Sequence, residues 1–307
     1  MPTTNYHISF LKNAEIDKDK WDICVNDAPN GLIYGYSYYL DAMSKHWDGL
    51  VLDDYEAVMP LTWNRKFSIY YLYQPFLCAS LGLFGKNLSD TLLTSFLEKI
   101  PARFKYWDIY LNHGNLFSLP GYEAYRRKNY VLNLNQPYDH LYNNYRSSYK
   151  QLIKKSASNN LAIKKNIAVE SIVQLAGKKM QPLSNVSAKD LQNFVKLYYL
   201  LSAKKLAINY GVYLNEKLIA SGIFLFSDKR AYYILAGNEK EFRITGASHL
   251  VIDAFIRDYA DKEMILDFEG SNIEKIAFFF KGFGAHIEEY PGIKYNRLPG
   301  PVRFFKK

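Results

Sequence analysis

Ala236-Gly237-Asn238-Glu239-Lys240-Glu241-Phe242-Arg243-Ile244-Thr245-Gly246-Ala247-Ser248-His249-Leu250 joins an apolar strand to an apolar helix through a polar turn. The helix opens on three small residues, Gly246 to Ser248. Their size lets an anion approach the first-turn N–H groups, which lack intrahelical acceptors and sit at the positive end of the helix dipole. The stretch has neither the Gly-Lys-Ser/Thr ending of a Walker loop nor the three-glycine spacing of a dinucleotide fingerprint. It reads as a phosphate cradle contacted by Asn238, Arg243, Gly246, Ala247, Ser248 and His249, or as an ordinary helix start capped by Thr245.

The flanking elements place this stretch in a repeated plan. Strands Lys217 to Phe226 and Arg230 to Ala236 make a hairpin around Ser227, Asp228 and Lys229, and the helix from Gly246 to Tyr259 leads into a buried strand, Met264 to Phe268. Earlier in the chain, short strands rich in β-branched and aromatic residues (Gly49 to Leu52, Tyr55 to Trp63, Phe67 to Tyr73) precede a helix capped by Ser89, then a strand, Trp107 to Leu111. Ala57 lies roughly fifty residues before Asp108, and Ala220 roughly fifty before Asp267, with hairpin, helix and strand in the same order. We expect an α/β chain of two tandem copies of one module, each a mixed, largely antiparallel sheet flanked by helices. The strand pattern ends at Asn135-Gln136-Pro137, which sets the domains at 1–136 and 137–307. A helix with apolar positions from Tyr138 to Ile153 opens the second.

Bulk properties agree. A length of 307 residues suits about two domains, and 49% hydrophobic with 22% charged residues excludes a disordered chain. The first residues lack a signal-peptide pattern, and no apolar run is long enough to span a bilayer, so a cytoplasmic protein without stable membrane insertion is expected. Cys24 and Cys78 and the six scattered histidines have no metal-ligand spacing, so we expect no metal site. The net charge of +9 suits a phosphate-bearing partner. Between Asp139 and Lys165, six Lys and Arg stand against one acid, with Arg146 and Lys150 on the helix that opens the second half.

Carboxylates supply the remaining chemistry. Asp267 and Glu269 share one face at the end of a strand, where open α/β sheets place their crevices. Either can take a proton from an attacking amine, Glu269 being nearer the strand end, and either can instead be satisfied by local N–H groups or, for Asp267, by Lys281. Tyr233, in the strand entering the cradle, is a candidate general acid or a core residue. Phe283, between Gly282 and Gly284, marks a tight turn near a ligand or a helix C-cap. In the first half, Tyr70-Tyr71-Leu72-Tyr73-Gln74-Pro75-Phe76 offers an aromatic wall for an interdomain cleft or packs as core.

Arg243-x-x-Gly246-Ala247-Ser248 resembles the pyrophosphate loop of the GNAT acetyltransferase superfamily, with Ser248 where a Gly or Ala is usual. Tyr145-Arg146-Ser147-Ser148-Tyr149-Lys150, Leu266-Asp267-Phe268-Glu269-Gly270 and Phe280-Lys281-Gly282-Phe283-Gly284 are similar in order and spacing to the tandem-domain FemAB/FemX-like branch. The resemblance implies two GNAT-like domains and an acyl- or aminoacyltransferase that forms an amide, its donor a coenzyme A thioester or aminoacyl-tRNA and its acceptor an amine such as a cell-wall precursor peptide. It places the donor in the second domain, with Lys281 among its contacts. Arg65, Lys66, Tyr73, Arg146, Lys150 and Phe283 become substrate contacts. The first copy lacks the loop and carries Asp90 at its helix start, against a donor phosphate. The alternative is a non-catalytic GNAT pair that binds a nucleotide-sugar, a polyanion or a protein. Amide formation by aminolysis needs no nucleophilic triad, since the amine itself attacks.

Overall fold

The computed structural model describes residues 6–158, 160–180, 186–269 and 272–298, without the side chains at 157, 158, 179, 180, 243 and 244. The described residues form two compact units, one running to Arg127 and resumed from Glu289, the other from Lys128 to Glu288. The division at 136/137 read from the sequence falls inside the second unit.

The first unit contains β1 (Ile8–Leu11), α1 (Lys18–Asp27), α2 (Ser37–Met43), β2 (Trp47–Leu52), β3 (Ala57–Lys66), β4 (Ile69–Leu72), β5 (Phe84–Gly85), α3 (Asp90–Glu98), β6 (Phe104–Tyr110) and the start of β7 (Glu123–Asn133). Asp17 caps α1 by accepting from the amides of Asp19 and Lys20. Ser89 caps α3, as its sequence position requires, by accepting from Leu92 N at 3.1 Å. The apolar stripe of α3, Leu92, Leu93, Phe96 and Leu97, joins Met59, Leu61, Leu72, Phe104 and Trp107 in one core.

The second unit contains the end of β7, then α4 (Tyr138–Asn143), α5 (Ser147–Ser158), β8 (Leu161–Lys165), α6 (Val169–Met180), α7 (Ala188–Ala203), β9 (Ala207–Leu214), β10 (Lys217–Ser227), β11 (Arg230–Asn238), α8 (Ala247–Tyr259), β12 (Ile265–Asp267), α9 (Glu274–Lys281) and the start of β13 (His286–Asn296). Its core is dense in aromatic rings, with Phe224 of β10 stacked on Phe255 of α8 at 3.8 Å and 8°. The single helix expected from Tyr138 to Ile153 is two helices. Between them the Arg146 amide donates to Gly282 O (2.8 Å) in place of an intrahelical carbonyl.

Strand order is β1-β2-β3-β4-β6-β13 in the first unit and β8-β9-β10-β11-β12-β7 in the second. In both, the fourth and fifth strands pair in parallel, Leu72 opposite Trp107 and Tyr232 opposite Asp267, while β1–β2, β2–β3, β3–β4, β6–β13, β8–β9, β9–β10, β10–β11 and β12–β7 pair antiparallel. Ala57 and Ala220 thus lie on equivalent strands, as do Asp108 and Asp267, and the mixed α/β duplication is observed directly. The sixth strand of each set is not a neighbour in sequence. Val131 to Asn133 of β7 pair with β12, and Gly292 to Asn296 of β13 pair with β6. No described helix is long and apolar enough to cross a membrane.

Candidate functional site

In the second unit the β11–β12 ladder stops at Tyr232↔Asp267, while β11 runs on to Asn238. Among the described residues no strand pairs with β11 on that side beyond this point. Ile223 pairs with Leu235 and Phe224 with Tyr233, so Ile234 is the extra residue of a β-bulge. A bulge leaves its extra residue unpaired and re-aims the backbone. In the first unit the same position is closed: Leu81 bridges Leu111 in parallel and its amide donates to Tyr110 O at 2.8 Å. A buried asparagine set pins that segment. Asn112 donates to Leu81 O (2.9 Å), and Asn30 and Asn115 donate to Leu83 O (2.8 and 3.0 Å). The first unit's helix start is also satisfied from within, by Ser89 and by Asp90 Oδ1 accepting from Thr91 N (2.7 Å).

The α8 start is built differently. Gly246 takes φ +80°, a conformation costly for a residue with Cβ, and an added Cβ would sit 3.1 Å from Leu152 Cβ of α5. Thr245 Oγ1 accepts from Ala247 N at 3.3 Å and donates to Phe242 O, so part of the capping reading holds. Asn238 Nδ2 donates to Ser248 Oγ at 3.1 Å, tying the strand end to the first helical turn, while Asn238 Oδ1 is buried without a hydrogen-bond partner among the described residues. His249 lies in an aromatic wall, 4.3 Å from the Tyr149 ring and 5.0 Å from that of Phe279. Its Nδ1 has no hydrogen-bond partner among the described residues, and burial lowers its pKa to about 4, so the imidazole is neutral near pH 7. The Arg243 side chain lies outside the described residues.

Asp267 does not pair with Lys281. Its Oδ2 lies 3.0 Å from Arg230 Nε, and its Oδ1 accepts from Asn129 Nδ2 (2.9 Å) and from the Glu269 amide (2.8 Å). Arg230 Nη2 also donates to Glu288 Oε2 at 2.5 Å. Burial raises the Asp267 pKa, opposed by Arg230. For Arg230 burial works against the charge, and Asp267 and Glu288 more than offset it. Asp267 therefore anchors a buried ion network and holds the turn into Glu269. Glu269 itself stands at φ +66°, and burial pushes its carboxyl well above the ordinary range.

The remaining candidates divide clearly. Tyr233 is buried with its ring on Phe224 (4.9 Å, 24°), and burial raises its hydroxyl pKa. Phe283 is fully buried against Tyr145, Tyr149 and His249, and the Gly282 Cβ position would fall 2.1 Å from the Tyr149 ring, so this turn packs on α5. Gly284, at φ +86°, supplies the left-handed end of α9. Arg146 stacks on exposed Phe278 at 3.6 Å, with Nη1 buried and without a hydrogen-bond partner among the described residues. Lys150 Nζ donates to Asn143 O (2.8 Å), and Lys281 is exposed with its ammonium 5.6 Å from the Tyr130 ring. In the first unit Arg65 and Lys66 are exposed, and Tyr73 OH accepts from the Lys45 amide (2.9 Å). Among the described residues no group of three His, Cys, Asp or Glu could hold a metal ion. Sequence reasoning missed Arg230, Glu288 and Asn129. A cation opening an otherwise apolar strand was the available signal, since such a charge needs a partner.

No family model and no curated protein matches the chain significantly. Solved structures do. FemX superposes on 97% of this chain and 99% of its own at 14% identity and TM-score 0.68. L-PGS from Bacillus licheniformis covers 94% of this chain and 95% of its own at 9% identity and TM-score 0.56. A tandem GNAT protein from the clavulanic acid biosynthesis pathway covers 96% and 100% at 10% identity and TM-score 0.53. At these identities the likeness is one of architecture: this chain has the tandem GNAT, FemX-like fold.

Proposed function

We propose that the chain is an acyl- or aminoacyltransferase that forms an amide, its donor held by the second unit. One observation carries this reading: among the described residues β11 runs on beyond its pairing with β12, at the strand ends that lead to α8 and to Glu269, whereas the first unit fills the corresponding position with Leu81. The α8 amides and Asn238 are suited to a donor phosphate. Glu269, once deprotonated, would take a proton from the acceptor's ammonium before attack or from the amine as it attacks, and the backbone N–H at the Ile234 bulge would stabilise charge on the carbonyl oxygen. The amine forms the new C–N bond, and the thiol or ribose hydroxyl of the donor leaves with a proton. Exposed Arg65 and Lys66 are proposed contacts for acidic groups of the acceptor.

Calorimetry separates the donors. Acetyl-coenzyme A binding that changes little with salt supports the thioester, and aminoacyl-tRNA binding that weakens steeply with salt supports the tRNA ester. Binding of neither removes the proposal. The basic run on α5, packed beside the cradle through Leu152, favours the larger polyanion.

A further inference from the structure

Far along the chain from these residues, the first unit contains a cavity of about 420 Å³ beside the C-terminal end of α3. Leu97, Ile100 and Phe104 give it an apolar base. Trp107 and Tyr295 are stacked within it at 4.1 Å and 20°. Tyr122 lies nearly parallel to Trp107, its centroid 6.3 Å away, and 6.5 Å from that of Tyr295. Those three separations put Tyr122 beside the stacked pair rather than on top of it, so the rings make a ledge. Trp107 is 3% exposed, and Tyr122 and Tyr295 are half-buried. Beside Tyr122, Gly121 takes φ +90°, and a Cβ built there would meet no heavy atom of the described residues within 4 Å apart from its chain neighbours.

The rim is charged. Exposed Lys105 and Arg297 are joined by the Arg297 amide donating to Lys105 O (2.8 Å), and the Arg297 guanidinium stands 4.9 Å from the Tyr295 ring centroid. Glu98 is the acid on the same rim. An aromatic ledge over an apolar base accepts a flat ring, and a guanidinium at its edge offers an anion a charge-assisted hydrogen bond. We propose that this cavity is a binding site for a small flat aromatic molecule that carries one anionic group, its ring on Tyr122 and its anion at Arg297. The site is built wholly from first-unit residues and does not depend on the transferase reading.

Naphthoate is the probe, because it has two fused rings and one carboxylate. Trp107 reports on the cavity through its indole N–H, which donates to Phe104 O at 2.9 Å. With four tryptophans in the chain, the indole resonances of the labelled full-length protein can be assigned using Trp107→Phe. Titration should shift the Trp107 resonance saturably. Arg297→Ala, a change at an exposed residue, should weaken binding about tenfold, the loss of one charge-assisted contact. Neutral naphthamide should bind about tenfold more weakly than naphthoate, and Tyr122→Leu should remove the shift. No saturable shift, equal binding of naphthamide, or unchanged affinity in Arg297→Ala overturns the proposal. Unchanged resonances of the other three indoles verify that each variant is folded.

Discussion

Arg230 Nε stands 3.0 Å from Asp267 Oδ2 across the parallel β11–β12 ladder, both side chains almost wholly removed from solvent. The approach is off the N–H direction, since Nε makes no aligned hydrogen bond, so it is an ion pair held by charge. Removing one member leaves the other buried and uncompensated. Arg230→Met should therefore lower unfolding stability by about 3 to 5 kcal/mol. Urea titration checks this, and a loss below about 1 kcal/mol contradicts the anchoring role of the pair.

His249 makes stability depend on acid. Its folded pKa, about 4, lies below the ordinary histidine value of 6.5, so the unfolded chain binds more protons between those values. Stability is fully present above pH 6.5 and is lost as pH falls toward 4. The maximum loss from this group is roughly 3 kcal/mol, at about 1.36 kcal/mol per pKa unit. His249→Phe, which keeps an aromatic ring beside Tyr149, should flatten this slope. Denaturation at a series of pH values in both proteins would show it, and identical slopes would exclude His249 as the source.

Glu269 is expected to control the pH dependence of turnover. Because burial raises its pKa, the base form is scarce at low pH and kcat/KM should climb with pH to an inflection above the usual carboxylate range. Glu269→Gln should lower kcat about 10² to 10⁴-fold while leaving donor binding intact. A variant that turns over normally assigns the base to another group.

Gly246 is constrained twice, by its positive φ and by Leu152. Gly246→Ala should cost about 1 to 2 kcal/mol in stability and weaken donor binding as the helix start shifts. Thermal unfolding gives the first and calorimetry the second. Unaltered donor binding in a folded variant moves the phosphate away from α8.

Periodicity made the duplicated plan legible, because strand, hairpin and helix signals are local. Ser89, the hairpin at Ser227 to Arg230 and the α8 start all sit where turn and capping chemistry put them. The helix break at Arg146 was not legible, because it depends on Gly282, distant in sequence. The role of Asp267 was half legible: its place at the strand end follows from alternation, while its partner does not. Lys281 was the nearer cation in sequence, yet register sets Arg230 beside Asp267. Phe283 shows the same limit, since its flanking glycines admit a ligand and a packed ring equally, and Tyr149 decides for packing.

The sixth strands β7 and β13 also set an order of events during synthesis. The strand that flanks β12 is made before the rest of the second unit, so that sheet can close as soon as β12 emerges from the ribosome. The first unit waits longer: β6 has no β13 beside it until the second unit has been translated. Its exposed strand edge must persist through that interval, as a template for unwanted pairing. The half that is made first is therefore finished last.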